Sequence, residues 1–359
     1  MAEKKKKMKI PVIIILSLLI ILILAAAAAL FYFSANEYRP APEVLIDVIN
    51  NQSVQPEPGQ PVKVLSFNIG YGSLDKSQDF FMDGGKTVRP QTDKNISENT
   101  QQIKKFIDET DWDILFLQEA DKNSKRSYHF NQVKYLSEIP GVSSAYALNF
   151  FSKFVPYPFP EFIGKVESGL LTLNSYSVTE AARIALPTTF KWPVRVFQLK
   201  RCLLVERVPV HNGKDLVLVN LHLEAYDDGE AKTAQTQKLM DILNEEYAKG
   251  NYCIAGGDFN QTFPVVDPSL FPIKNSEHFV PGTLPEDILQ PGWKFAVDTG
   301  VPSARLLDNP YNPEDENTQY YIIDGFIVSP NIEIISVKTI NMGFAYSDHN
   351  PVYLEAMLQ

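Results

Sequence analysis

The sequence predicts an α/β protein, of α+β character, in which two packed mixed sheets are flanked by helices and one transmembrane helix precedes them. Three observations predict this. Apolar strand-like runs recur along the chain with only two long amphipathic segments between them, too few crossover helices for a simple doubly wound sheet. The chain has 359 residues, 45% of them apolar and 21% charged, which is enough to bury a large core. From Pro11 to Phe33 there is no ionisable group other than Tyr32.

Lys4 to Lys7 and Lys9 precede an apolar run over 10–33, long enough to cross a bilayer, which takes about 20 residues. The positive flank predicts a cytoplasmic segment 1–9, a signal anchor over 10–33 and export of everything beyond. Phe31, Tyr32 and Phe33 then fall at the outer interface. The competing reading is a secreted protein whose signal peptide is cleaved within Ala25–Ala29, although the run exceeds the usual signal core of about 7–15 residues. Residues 34–61, with Pro40, Pro42, Pro56, Pro58 and Pro61, read as an extracytoplasmic linker, with a short strand over Leu45–Ile49.

The domain is expected over 62–359. Helices are predicted at Ile96–Glu109, with Ile103, Phe106 and Ile107 on its apolar face, and at Glu230–Lys249, capped by Asp227 or Asp228 and ended by Gly250. Strands are predicted at Val62–Ile69, Ile114–Gln118, Gly169–Leu173, Cys202–Pro209, Leu216–His222, Tyr252–Ala255, Tyr321–Ser329 and Val352–Met357. Cys202 and Cys253 each lie in an apolar run, with no zinc spacing, and read as buried small residues.

Several strands end in polar groups. The apolar run into Gly256-Gly257-Asp258-Phe259-Asn260 places a carboxylate and a carboxamide two residues apart, on one side of an extended chain. Asp258 suits a hard metal and Asn260 a phosphate oxygen, whereas beside a glycine pair the same residues also suit a plain turn. Comparable endings deliver Asn68, Gln118-Glu119, His222, Asp324 and Ser347-Asp348-His349. Carboxylates gathered at buried strand ends are costly unless something positive binds there, so their convergence implies a metal.

The ordered set Phe67-Asn68, Leu117-Gln118-Glu119, Leu221-His222-Leu223, Gly257-Asp258-Phe259-Asn260, Ile323-Asp324 and Ser347-Asp348-His349 resembles the endonuclease/exonuclease/phosphatase superfamily. Deoxyribonuclease I, abasic-site endonucleases, neutral sphingomyelinases and inositol polyphosphate phosphatases belong to it. The resemblance spans roughly 62–358 and implies a four-layer α/β/β/α sandwich. It also implies that the Cys202 and Cys253 strands are separated by the His222 strand, too far apart for a disulfide.

The resemblance implies phosphoester hydrolysis. Glu119 is the main metal ligand, with Asn68, Asp258 or Asp348 completing or supporting the oxygen shell, and Mg2+ or Mn2+ is expected of such hard donors. His349 is the general base or contacts the scissile phosphate, and Asp324 fixes its tautomer. Asp258 is the other candidate for taking the proton of water. His222 donates to the phosphate or the leaving oxygen, and Asn260 orients the phosphate.

Charge bears on the substrate. The chain is −10 overall; its first nine residues carry five lysines and one glutamate, so the remainder is −14. An acidic domain fits poorly with tight, sequence-independent nucleic-acid binding. The expected substrate is a phosphodiester, in a nucleic acid or a phospholipid headgroup; a small phosphorylated metabolite or inositol phosphate is the alternative, as is a non-catalytic surface binding protein. No protein partner is implied. Phe150, Phe151, Phe154, Tyr157, Phe159 and Phe162, interleaved with prolines, form an aromatic loop that packs on its own domain, lines the cleft or lies on the membrane. Lys86 and Arg89, in the long loop after Asn68, are candidate phosphate contacts. His129, His211 and His278 have no motif around them.

Overall fold

The computed structural model describes residues 10–227 and 229–359. The lysine-rich segment 1–9 and Asp228 lie outside the described residues. The order is α1 (Ile10–Ala35), β1 (Glu43–Leu45), β2 (Pro61–Asn68), α2 (Asp93–Glu109), β3 (Ile114–Asp121), α3 (Gln132–Ser137), β4 (Ser143–Val155), β5 (Gly164–Asn174), β6 (Glu180–Ala185), β7 (Cys202–Pro209) and β8 (Asp215–His222). There follow α4 (Glu230–Ala248), β9 (Tyr252–Asp258), β10 (Gln261–Thr262), β11 (Gly282–Thr283), β12 (Lys294–Ala296), β13 (Ala304–Arg305), β14 (Tyr320–Tyr321), β15 (Asp324–Val328), β16 (Ile332–Thr339) and β17 (Val352–Leu358).

Two mixed sheets carry the body, ordered β1-β6-β7-β8-β9-β15-β12 and β16-β17-β2-β3-β5-β4. Alternation along each strand explains the layers. Val64, Ile114, Phe116 and Leu170 meet Leu204, Leu218, Ile254 and Phe326 in the core between the sheets. The outward positions Leu65, Phe67, Leu115 and Leu117 pack under Ile103 and Ile107 of α2 and Leu136 of α3. On the other side Val217, Val219, Cys253 and Ala255 pack under Leu239, Met240 and Leu243 of α4. The result is the expected four-layer sandwich. Cys202 and Cys253 are free and buried on β7 and β9, with β8 between them.

Polar groups also cross the inter-sheet core. Gln118 Nε2 donates to Asn220 Oδ1 at 2.8 Å, and Asn220 Nδ2 donates to the Leu171 carbonyl at 3.1 Å. Glu206 on β7 accepts from Asn174 Nδ2 on β5 at 3.0 Å, and burial pushes its carboxyl up to about 7. Between the ordinary glutamate value near 4.5 and about 7 the folded chain keeps a proton that the unfolded chain has lost. Stability therefore falls as pH rises through that window. Glu206→Gln is expected to remove this slope, gaining up to about 3 kcal/mol on wild type above pH 7 and little at pH 4.5, as read by denaturant midpoints.

Several elements differ from the sequence reading: β6 and β16 were not expected, and the short strand expected over Leu45–Ile49 is β1 at Glu43–Leu45. The 13-residue β4 was not expected, because register shifts at Leu148/Phe150 and Ser152/Val155 break its alternation; it takes in Phe150, Phe151 and Phe154, so the aromatic loop begins as a strand. The run Tyr321–Ser329 is split, since Ile323 N and Asp324 N both donate to Ser303 Oγ at 3.0 Å instead of to a neighbouring strand. The proline-rich stretch 34–61 lies along the body: β1 pairs with β6, Ile49 bridges to Ser144, and Asn51 exchanges hydrogen bonds with Val178. The helix α1 is long and apolar enough to cross a membrane, its 26 residues reaching about 39 Å at 1.5 Å each.

Candidate active site

The polar endings meet because of strand direction. Parallel β2 and β3 bring Asn68 beside Gln118, parallel β8 and β9 bring His222 beside Asp258, and antiparallel β15 sets Asp324 opposite Asp258. β17 runs antiparallel to β2, which puts the preceding Asp348 and His349 at the same end. The glycine pair is part of β9 and not a turn. A Cβ on Gly256 would lie 2.2 Å from the Phe326 ring, and on Gly257, at φ +144°, 2.0 Å from the Leu221 carbonyl oxygen. Gly257→Ala is therefore expected to cost more than about 3 kcal/mol in chemical denaturation, because the obstacle is backbone in a neighbouring strand.

Glu119 needs a further device. Gln118 points between the sheets, so strict alternation would send Glu119 outward under the helices. A bulge between Leu117 and Ala120, with Glu119 at φ +57°, turns the carboxylate into the cavity instead.

The side chains are close. His349 Nδ1 and Asp324 Oδ2 are 2.8 Å apart, and His349 Nε2 is 3.8 Å from both Asp258 Oδ2 and Asp348 Oδ2. His222 Nε2 approaches Asp258 Oδ2 to 3.4 Å from the other side. Asn68 Nδ2 is 3.0 Å from Asp258 Oδ2 and 3.4 Å from Glu119 Oε1, while its Oδ1 accepts from Gly70 N. Asn68 thus presents its amide nitrogen to the carboxylates and supports them. Asn260, at φ +50°, gives its backbone N–H to Asp258 Oδ1 and its side-chain amide to the Leu223 carbonyl.

Electrostatics divide the two histidines. Burial would lower His349, but the charges of Asp324, Asp348 and Asp258 outweigh it and hold its pKa well above the ordinary value. Burial, reinforced by Arg201, holds His222 well below it. At neutral pH the site thus pairs an imidazolium with a neutral imidazole. Burial raises Glu119 and Asp348, and burial together with Asp324 raises Asp258.

Glu119, His222, Asp258, Asn260, Asp348 and His349 line one cavity of about 490 Å³, with Asn68 and Asp324 supporting them from behind. It includes residues that the sequence reading did not select. Arg126 stacks over Tyr71 with 3.6 Å to the ring centroid, pairs with Asp121 at 3.0 Å and stands 3.9 Å from Glu119. Asp83, pushed up to about 7 by burial, accepts from Tyr226 Oη at 2.9 Å. Arg201 donates to the His222 carbonyl at 3.0 Å. No motif surrounds Arg126 in sequence, so only the fold reveals it. Lys86 is exposed and Arg89 sits beside Glu161, so neither lines the cavity.

The sequence profile of the endonuclease/exonuclease/phosphatase family matches residues 65–349. The chain belongs to this family. Among solved structures, an endonuclease/exonuclease/phosphatase from Beutenbergia cavernae is similar at TM-score 0.56 and 16% identity, over 83% of this chain and 72% of that one. A family protein from Leptotrichia buccalis matches at TM-score 0.53 and 16% identity, over 83% and 100%. The human Nocturnin catalytic domain with bound sulfate matches at 0.50 and 18%, over 88% and 98%. These likenesses establish the fold. No curated protein matches the sequence.

Family enzymes are generally divalent-metal dependent, and the residues present fit such an ion. The Glu119 carboxylate has raised proton affinity, yet its nearest donors, Asn68 at 3.4 Å and Arg126 at 3.9 Å, are too long for strong bonds. A partly buried carboxylate facing the cavity with no strong hydrogen-bond donor is a place for a cation. Asp258, Asp324 and His349 also offer ligand atoms within 4.8 Å of one another. There, however, the 2.8 Å His349–Asp324 bond already engages two of the three.

Proposed function

We propose that the chain is a membrane-anchored, exported phosphodiesterase that depends on Mg2+ or Mn2+. The observation that carries this is the His349–Asp324 pair facing Asp258 and Asp348, with Glu119 beside it and neutral His222 across from it. Glu119, supported by Asn68 and completed by Asp348 or Asp258, is the ligand set, and the ion supplies positive charge for the phosphoryl oxygens and a more acidic water. Asp258, left free of the ion where Asp348 completes the shell, accepts the proton of the attacking water. Imidazolium His349, held in one tautomer by Asp324, donates to the phosphate. His222 donates its Nε2–H toward the leaving oxygen, and Asn260 orients the phosphate.

The domains follow as a cytoplasmic segment 1–9, an anchor 10–33, an extracytoplasmic linker 34–61 laid on the body, and the catalytic domain 62–359. Positive charge before α1 supports this orientation. Secretion after signal cleavage is the alternative, distinguished by the size of the cell-associated product and by protease accessibility of the domain on intact cells. Activity is tested directly: the full chain hydrolyses bis(4-nitrophenyl) phosphate with added Mg2+ or Mn2+, and chelator stops it reversibly. A rate equal to that of metal ion alone overturns the reading.

A further inference from the structure

The outer end of α1 is built into the body beside the cavity. Phe33 stacks on Phe154 of β4 with ring centroids 6.2 Å apart and meets Phe197 edge-on at 5.5 Å. Ser34 Oγ accepts from Trp192 Nε1 at 3.0 Å, and Asn36 Oδ1 accepts from Lys153 Nζ at 2.6 Å. Just beyond, the Glu37 side chain, 2% exposed, is enclosed by Arg39, Lys200 and Arg195 at 2.7, 3.1 and 3.3 Å. Stacked rings and an enclosed carboxylate fix the helix end against the body.

The same two segments that receive the helix also wall the cavity. Phe150, Val155 and Pro156 from the β4 side and Val194, Phe197 and Leu199 from the other line the same cavity as the catalytic groups, and Phe197 also touches Phe33 of α1. On the outside Trp192, bonded to Ser34, is 56% exposed, and Phe159, which reaches Phe154 through Phe162, is 84% exposed; Phe31 of the helix end is 75% exposed. Exposed aromatics around the end of a membrane-spanning helix belong at headgroup level. The cavity's cations do not suit a polyanion: Arg126 is paired with Asp121, Arg201 with Glu224, and Arg305 donates to backbone carbonyls.

We propose that the cavity opens onto the bilayer and that its substrate is a membrane-resident phospholipid. The headgroup phosphodiester reaches His349 and His222, and the apolar portion lies along Phe150, Val155, Phe197 and Leu199. Water's hydroxyl joins phosphorus as one P–O ester bond breaks, and the departing alcohol takes a proton, so no other reactant is needed. The inference rests on the phosphodiesterase reading above.

The test uses the full chain reconstituted into vesicles of equal parts phosphatidylcholine, phosphatidylethanolamine, phosphatidylglycerol and sphingomyelin, with products read by mass spectrometry. Bis(4-nitrophenyl) phosphate and single-stranded DNA are the soluble probes. Vesicle lipid is expected to be hydrolysed, and Phe159→Asp with Trp192→Asp to lower that rate at least about tenfold while changing the bis(4-nitrophenyl) phosphate rate less than about twofold. Intact vesicle lipid with cleavage of either soluble probe, or an equal loss on lipid and soluble diester, overturns the lipid inference and leaves the phosphodiesterase reading standing. No hydrolysis of any probe removes both.

Discussion

His349→Ala lowers hydrolysis of bis(4-nitrophenyl) phosphate by at least about a hundredfold at saturating metal, the scale for losing a positioned proton donor or acceptor. The ring lies within 4 Å of three carboxylates, and no other described side chain reaches the same point with both a proton and a positive charge. Asp324→Asn separates positioning from chemistry. It keeps the ring's neighbour but removes the largest charge that raises His349, so the pH–rate profile shifts to lower pH while the protein stays folded. Wild-type activity in a folded His349→Ala variant would reject the assignment.

Glu119→Gln is the second large effect. The substitution preserves size and hydrogen bonding but removes the charge that the Leu117–Ala120 bulge turns into the cavity. Loss of activity at 1 mM Mg2+ is expected to be about 10²- to 10³-fold, comparable to removal of one electrostatic stabiliser of a transition state. A second readout does not depend on turnover. Mg2+ at about a hundred times its Kd stabilises a protein that binds it only when folded by about 2.7 kcal/mol, and the variant should lose most of that gain. An unchanged Mg2+-dependent melting shift would move the ion elsewhere, with the Asp258–Asp324–His349 cluster the next candidate.

The two substitutions probe residues of different legibility. His222 and Asp258 close apolar strands while Asp324 opens one and His349 precedes one, and a buried polar group at either end of an apolar run is visible in a single chain. Glu119 was visible by type and place. Its orientation was not, because one extra residue in the ladder reverses which face a side chain takes. Arg126 and Tyr71 were invisible: they come from short 3-10 turns whose local sequence carries no period, and they reach Glu119 only through the packing of loops over the strand ends. Gly256 and Gly257 were ambiguous between turn and strand, and the decision lay with Phe326 and the Leu221 carbonyl, residues distant in sequence.

Sequence by itself determined the apolar helix, the central strands that read as short apolar runs, the order of the polar strand ends and so the family, because each is a local pattern of side-chain type. Tertiary structure alone decided which of those ends share a cavity, which nitrogen of His349 faces Asp324, and that the outer end of α1 packs on the cavity wall through Phe33, Phe154 and Phe197. Those are contacts between residues far apart along the chain. They depend on strand order and direction, which no short stretch of sequence encodes.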